Sequence, residues 1–144
     1  MAKYTVVTMP GDGIGKQVMP EALRLLKAVG FDAEYFHADI GWECWRNEGN
    51  ALPELTAELL AKYKLGLFGA ITSKPKKQAE AELNPALRGK GYSYFSPIVA
   101  MRQRFHLDTC IRPCISFPGN PLNSTASGPF TVELVLFRTL TVAL

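Results

Sequence analysis

Tyr4-Thr-Val-Val-Thr-Met-Pro-Gly-Asp-Gly-Ile-Gly15 runs from an apolar, β-branched stretch into three closely spaced glycines, and residues 16–29 behind it carry a helical pattern. A strand that breaks into glycines and re-enters a helix lets backbone approach an anionic ligand with no Cβ in the way. The spacing excludes two well-known versions of this arrangement. The GxxxxGK[ST] phosphate loop fails, because position 10 is proline and Gln17 follows Lys16. The dinucleotide fingerprint GxGxxG fails, because Gly15 arrives one residue early. The residues alone leave two readings open: a ligand loop, or a tight strand-to-helix turn in which the glycines only relieve crowding.

Upstream of the glycines, residues 3–9 read as a buried strand. Downstream, Val18, Ala22, Leu25, Leu26 and Val29 recur at helical spacing, and Gly30 is placed to end that helix. Pro20 falls early, where a helix best tolerates proline. Residues 31–37 alternate apolar and polar side chains and predict a second strand. Leu52, Leu55, Leu59, Leu60 and Tyr63 predict a second amphipathic helix opened by Pro53, and Leu65-Gly-Leu-Phe-Gly-Ala70 a third strand. This β-α-β-α-β order predicts a parallel sheet covered by helices.

Residues 74–91 change character, being rich in Lys, Glu, Ala and Gln and ending in Arg88-Gly-Lys-Gly91. They predict an exposed helix followed by a flexible loop. Ser96-Pro97 then has the form of an N-cap and first helical residue, with Ile98, Met101, Arg102 and Phe105 following. Residues 107–117 and 131–144 are strand-like, and Pro118-Gly-Asn-Pro121 is a turn cluster. The composition shift over 118–129 divides a first unit, 1–117, from a second, 118–144. The final run, 136–144, is an apolar edge with nothing after it to cover it, so the chain is expected to be a fragment of a larger enzyme.

The 144 residues fit one ordinary domain, and 47% hydrophobic with 20% charged content excludes a disordered chain. The net charge of +3 is scattered apart from Lys74-Pro-Lys-Lys77, which gives no nucleic-acid footprint and favours small anionic substrates. Cys44, Cys110 and Cys114 are odd in number and lack CxxC spacing, which predicts free thiols in a reducing compartment. His37 and His106 have no partners at metal-ligand spacing. No leader pattern opens the sequence and no apolar stretch reaches the length of a membrane span, so no membrane partner and a cytoplasmic location are expected.

Arg102, Arg112 and Arg138 are the candidate ligand-binding groups, with Ser96 near the first in sequence. Guanidinium groups hold carboxylates through paired, charge-assisted hydrogen bonds, so three converging arginines would suit a di- or tricarboxylate. Arg112 stands out within an apolar strand beside Pro113. Each has a plainer reading as a surface charge, and Ser96 as a helix cap. Thr72 follows the strand 65–70, and the loop after a parallel strand is where ligands sit in open α/β sheets; a turn threonine is the plainer alternative.

Four stretches in this order, Pro10-Gly-Asp-Gly-Ile-Gly15, Gly69-Ala-Ile-Thr72, Met101-Arg-Gln-Arg-Phe-His-Leu-Asp108 and Ile111-Arg-Pro113, resemble the N-terminal part of the isocitrate/isopropylmalate dehydrogenase family of β-decarboxylating dehydrogenases. The resemblance covers residues 4 to about 117, with the isocitrate type favoured. Val132-Glu-Leu-Val-Leu-Phe-Arg138 also resembles the family strand that ends in Arg-Glu-Asn-Thr-Glu, but Thr139-Leu-Thr follows here.

The resemblance implies a non-Rossmann, three-layer α/β fold, present in part. Residues 1–117 would be the beginning of the large domain leading toward the clasp, and 118–144 the start of the small domain. It implies a homodimer, NAD or NADP, and Mg²⁺ or Mn²⁺. By motif, Thr72 would touch the cofactor, or the substrate near the nicotinamide, and Ser96, Arg102, Arg112 and Arg138 the hydroxy-carboxylate substrate. Ser96 matches isocitrate enzymes, whereas Ile98 stands where their pattern has asparagine; isopropylmalate or homoisocitrate is the alternative substrate. The segment 74–91 is longer than the family's loop. The proton-transfer lysine and tyrosine and the metal-binding aspartates would lie beyond the matched part, so the chain alone is expected to be inactive. A non-catalytic subunit of the same fold is the rival reading.

Overall fold

Strand β1 (Tyr4–Gly11) is the middle of a three-stranded parallel sheet, flanked by β2 (Ala33–His37) and β3 (Gly66–Ala70) in the order β2-β1-β3. Tyr4 to Thr8 pair with Ala33 to His37, and Val7 to Gly11 with Gly66 to Ala70. The computed structural model describes residues 2–107, 109–111, 114–115, 131–132 and 135–137. Val6, Val7, Thr8 and Met9 are all buried, as expected of a central strand covered on both faces. The one polar member, Thr8, donates its hydroxyl to the Phe36 carbonyl.

Helix α1 (Ile14–Ala28) follows the glycine turn, and α2 (Trp42–Glu48) and α3 (Glu54–Tyr63) fill the connection from β2 to β3. Gly30, with φ of +74°, follows the end of α1 as anticipated, and Pro53 occupies the N-cap of α3. Two details differ from the sequence reading. Pro20 lies in the second turn of α1, past the positions where its missing N–H costs nothing, so the Lys16 carbonyl has no helical donor. In addition, Val18, Leu25 and Val29 are exposed, while Gly15 and Met19 face the sheet.

One core cluster joins Val7 and Met9 of the sheet to Ala38, Ile40, Leu52, Ala57 and Leu60. Ile71, just past β3, packs against it together with Ala100, Met101 and Phe105 of the α5 region (helix Pro97–Arg104). A second cluster is built from Trp42 and Trp45 of α2, Ala51, Ala79, Leu83 and Tyr94. The exposed helix expected within 74–91 is present and largely exposed, as are residues 88–91 after it; what the cluster adds is the burial of Ala79 and Leu83. Helix α4 (Lys76–Glu82) and the 3-10 turn Pro85–Leu87 are docked on α2, with Ala79 wholly buried. Tyr94 meets both tryptophan rings edge-on, at centroid distances of 5.0 and 5.5 Å.

Residues up to Phe105 form one compact unit, and those from His106 onward a second. In the second, β4 (Thr109–Ile111) pairs antiparallel with β7 (Val135–Phe137), and β5 (Cys114–Ile115) with β6 (Thr131–Val132).

Candidate active-site edge of the sheet

The carboxyl ends of β1, β2 and β3 converge on a single side chain, Asp12, which is 6% exposed. Its Oδ2 accepts the backbone N–H of Trp42 at 2.7 Å and of Thr72 at 2.9 Å. Its Oδ1 accepts the N–H of Glu43 at 3.1 Å. Gly41, at the N-cap of α2, has no side chain to satisfy the first helical donors. Asp12 does so from thirty residues upstream, at the positive end of the α2 dipole. One carboxylate therefore fastens the β1–α1 turn, the start of α2 and the loop after β3.

Two of the three glycines around Asp12, Gly11 and Gly15, are there for close packing. A Cβ on Gly15 would stand 2.0 Å from the Pro10 carbonyl oxygen, and one on Gly11 would stand 2.1 Å from that of Ala70. Backbone is therefore what these glycines admit, and the anion beside them is the protein's own. A neighbouring cleft of about 440 Å³ is lined in part by Thr8, Lys16, His37 and Asp39. Its basic side chains are already partnered: Lys16 with Glu43, which raises the lysine's pKa, and the His37 ring with Asp39 through a hydrogen bond of 3.2 Å. This is a turn that seats a helix, not a phosphate cradle.

Thr72 is half-buried in the loop fixed by Asp12. Ser96 sits at the N-cap of α5, yet its hydroxyl makes no cap bond, so capping does not account for it. Arg102 and Arg104 both belong to the last turn of α5, and they differ in commitment. Arg104 is paired with Glu54 through two N–H donors, which raises its own pKa and lowers that of Glu54. Half-buried Arg102 has no ion-pair partner among the described residues. Six residues separate Ser96 from Arg102, about 9 Å along the axis and on different helix faces. Arg112 and Arg138 lie outside the described residues.

Sequence reasoning missed Asp12, because an aspartate between two glycines reads as turn filler. The usable signal was a helix start at Gly41-Trp42 with no capping side chain of its own. Among the described residues, no group of three or more His, Cys, Asp or Glu side chains could hold a metal ion. No helix among them is long and apolar enough to cross a membrane.

Cys44 on α2 is a free, buried thiol, and burial, aided by Asp39 and neighbouring carboxylates, pushes it up to about 11. At pH 8 roughly one such thiol in a thousand is ionised, against roughly one in ten at the ordinary value of 9.0. Alkylation of Cys44 by iodoacetamide, followed by peptide mass spectrometry, is expected to be about a hundredfold slower in the folded chain than in denaturant. Equal rates would show that the thiol is not held in this environment.

A parallel sheet covered by helices, whose loops converge at its carboxyl edge, defines an α/β scaffold of the class that binds ligands at that edge. A family model of isocitrate/isopropylmalate dehydrogenases matches residues 5–143. The chain is 41% identical to homoisocitrate dehydrogenase of Methanocaldococcus jannaschii, covering 92% of this chain and 36% of that protein. It is 36% identical to 3-isopropylmalate dehydrogenase of Methanothermobacter thermautotrophicus, covering 84% and 31%. The solved isocitrate dehydrogenase of Methylococcus capsulatus superimposes with a TM-score of 0.70 at 24% identity, covering 94% of this chain and 35% of that one, which shows the shared fold. The chain belongs to the isocitrate/isopropylmalate dehydrogenase family, and it spans about a third of the length of these relatives.

Proposed function

We propose that this chain supplies the substrate-carboxylate and cofactor-facing part of a dehydrogenase that oxidises a 2-hydroxy di- or tricarboxylate and releases its β-carboxyl group. The observation that carries this reading is that one core seats both halves of the site. Ile71, beside Thr72, and Ala100 and Met101, beside Arg102, pack on the same cluster. Arg102 would take a substrate carboxylate through paired N–H donors, and the uncommitted Ser96 hydroxyl a second polar group. Arg112 and Arg138 would complete the carboxylate set, and Thr72 would face the nicotinamide end of NAD or NADP.

When bound, the nicotinamide takes up the hydride and a divalent cation, Mg²⁺ or Mn²⁺, polarises the hydroxyl oxygen and the carbonyl it becomes. The part proposed for the chain's own residues is binding and orientation. We place the protein in the cytoplasm as a homodimer acting on a small hydroxy-carboxylate, with 1–117 opening the large domain and 118–144 the small one. Isocitrate is the preferred substrate on the strength of Ser96. Ile98 and the named activities of the relatives keep isopropylmalate and homoisocitrate as the alternatives.

The test is NAD(P)H production by the longer polypeptide that continues this sequence to its relatives' length, assayed with all three acids. Arg102→Ala is expected to lower kcat/KM for the true substrate by about a thousandfold, the scale of losing a paired charge-assisted contact in the transition state. Production of NAD(P)H from none of the acids, or an Arg102→Ala variant as active as its parent, would overturn the reading.

A further inference from the structure

The structure gives the segment 74–91 specific ties to α2. The Glu82 carboxylate of α4 accepts the indole Nε1–H of Trp42 at 2.8 Å on one oxygen. Its other oxygen accepts the Lys74 ammonium at 2.6 Å. That ammonium also lies over the Trp42 ring, 5.2 Å from its centroid. Trp42 in turn donates its backbone N–H to the same Asp12 oxygen that takes the N–H of Thr72. The contacts close a ring, Asp12 to Trp42 to Glu82 to Lys74, and back through two residues of chain to Thr72.

Resting on the reading of Thr72 as a cofactor contact, we propose that Trp42, Glu82 and Lys74 are positioning residues that hold the Thr72 loop in its cofactor-facing conformation. Asp12 fixes the loop at residue 72, and the Lys74–Glu82 pair fixes it two residues later. Between two anchors this close, the backbone has little freedom left to lose when a ligand arrives. Helix α4 is a firm base for the second anchor. Trp45 Nε1–H donates to the Ala79 carbonyl at 3.0 Å, and the Asn84 N–H donates to that of Arg46 at 2.9 Å. The lysine and the indole both stabilise the charged form of Glu82 and hold its pKa below the ordinary carboxylate value, lysine more strongly. A surface ion pair is by itself a poor source of global stability. What this one contributes is local order at Thr72.

Residue-resolved amide exchange on the 144-residue chain separates that local effect from a merely structural one. In Glu82→Gln, exchange at Thr72 is expected to rise about tenfold while the Val7 and Met9 amides of β1 stay within about twofold. Lys74→Met is expected to reproduce the effect. Lys74→Arg, which can keep both the charge pair and the ring contact, is expected to restore protection. Unchanged exchange at Thr72 in both Glu82→Gln and Lys74→Met, or equal acceleration of Thr72 and β1, would overturn the inference. In the longer dehydrogenase, Glu82→Gln is expected to raise the cofactor KM about tenfold with kcat little altered, and an unchanged cofactor KM would likewise count against it. If Thr72→Ala there leaves the cofactor KM unchanged, the reading of Thr72 falls, while the exchange experiment still decides whether the ring orders the loop.

Discussion

Replacing Gly15 with alanine is expected to cost at least about 3 kcal/mol, the upper range for overpacking, and to lower the melting temperature by roughly 15 °C or more. The reason is geometric. The added methyl would stand 2.0 Å from the Pro10 carbonyl oxygen, 2.8 Å from the Ala70 nitrogen and 2.9 Å from the Ala70 oxygen. All three atoms are backbone, from the ends of the two paired strands β1 and β3, so no side-chain rotation relieves the overlap. The first turn of α1 would have to lift away from the sheet. Gly13→Ala is the matched comparison. Nothing lies within 4 Å of its Cβ position, and only its φ of +49° resists the substitution. The expected cost there is about 1–3 kcal/mol, set by backbone conformation alone. Thermal unfolding of the two variants beside the parent checks the contrast, and a Gly15→Ala chain as stable as Gly13→Ala would show that α1 does not pack on the strand ends as described.

The features legible in the sequence are those whose causes are local. Strands β1 and β3 are apolar runs, α3 carries its proline and its leucines at helical spacing, and α5 opens at Ser96-Pro97. Helix α2 escaped because its cap belongs to Asp12, thirty residues earlier, and no sequence window contains both. The exposed helix within 74–91 is legible, whereas its docking is not, for a related reason. Its composition is that of a solvated helix, but Ala79 and Leu83 are buried among Trp42, Trp45 and Tyr94, which come from distant parts of the chain. The helical period in α1 was correct, whereas the buried side was not deducible from it. Apolar residues occupy more than one face of that helix, and contact with the sheet selects the face of Gly15 and Met19. At the candidate site, residue types nominate Arg102 and Ser96. Only geometry shows that Arg104, two residues further on, is consumed by Glu54.

Asp12→Ala is expected to destabilise the chain by about 3–5 kcal/mol, because it leaves three backbone donors without the carboxylate that satisfies them. The Trp42 N–H bond to Asp12 is buried, and those of Glu43 and Thr72 are partly so. Asp12→Asn separates charge from hydrogen bonding. Its carbonyl oxygen, placed where Oδ2 stands, can still accept from Trp42 and Thr72. Its amide group then faces the Glu43 N–H, donor against donor, and the favourable pairing of a negative charge with the α2 dipole is gone. An intermediate cost of about 1–2 kcal/mol is expected for Asn. Urea unfolding curves rank the three chains, and an Ala variant no less stable than Asn would break the argument. A second observable distinguishes this carboxylate from an ordinary cap: because Asp12 joins loops from three strands, loss of its charge should raise amide exchange at Trp42, Glu43 and Thr72 together. A cap serving α2 alone would loosen Trp42 and Glu43 and leave Thr72 protected.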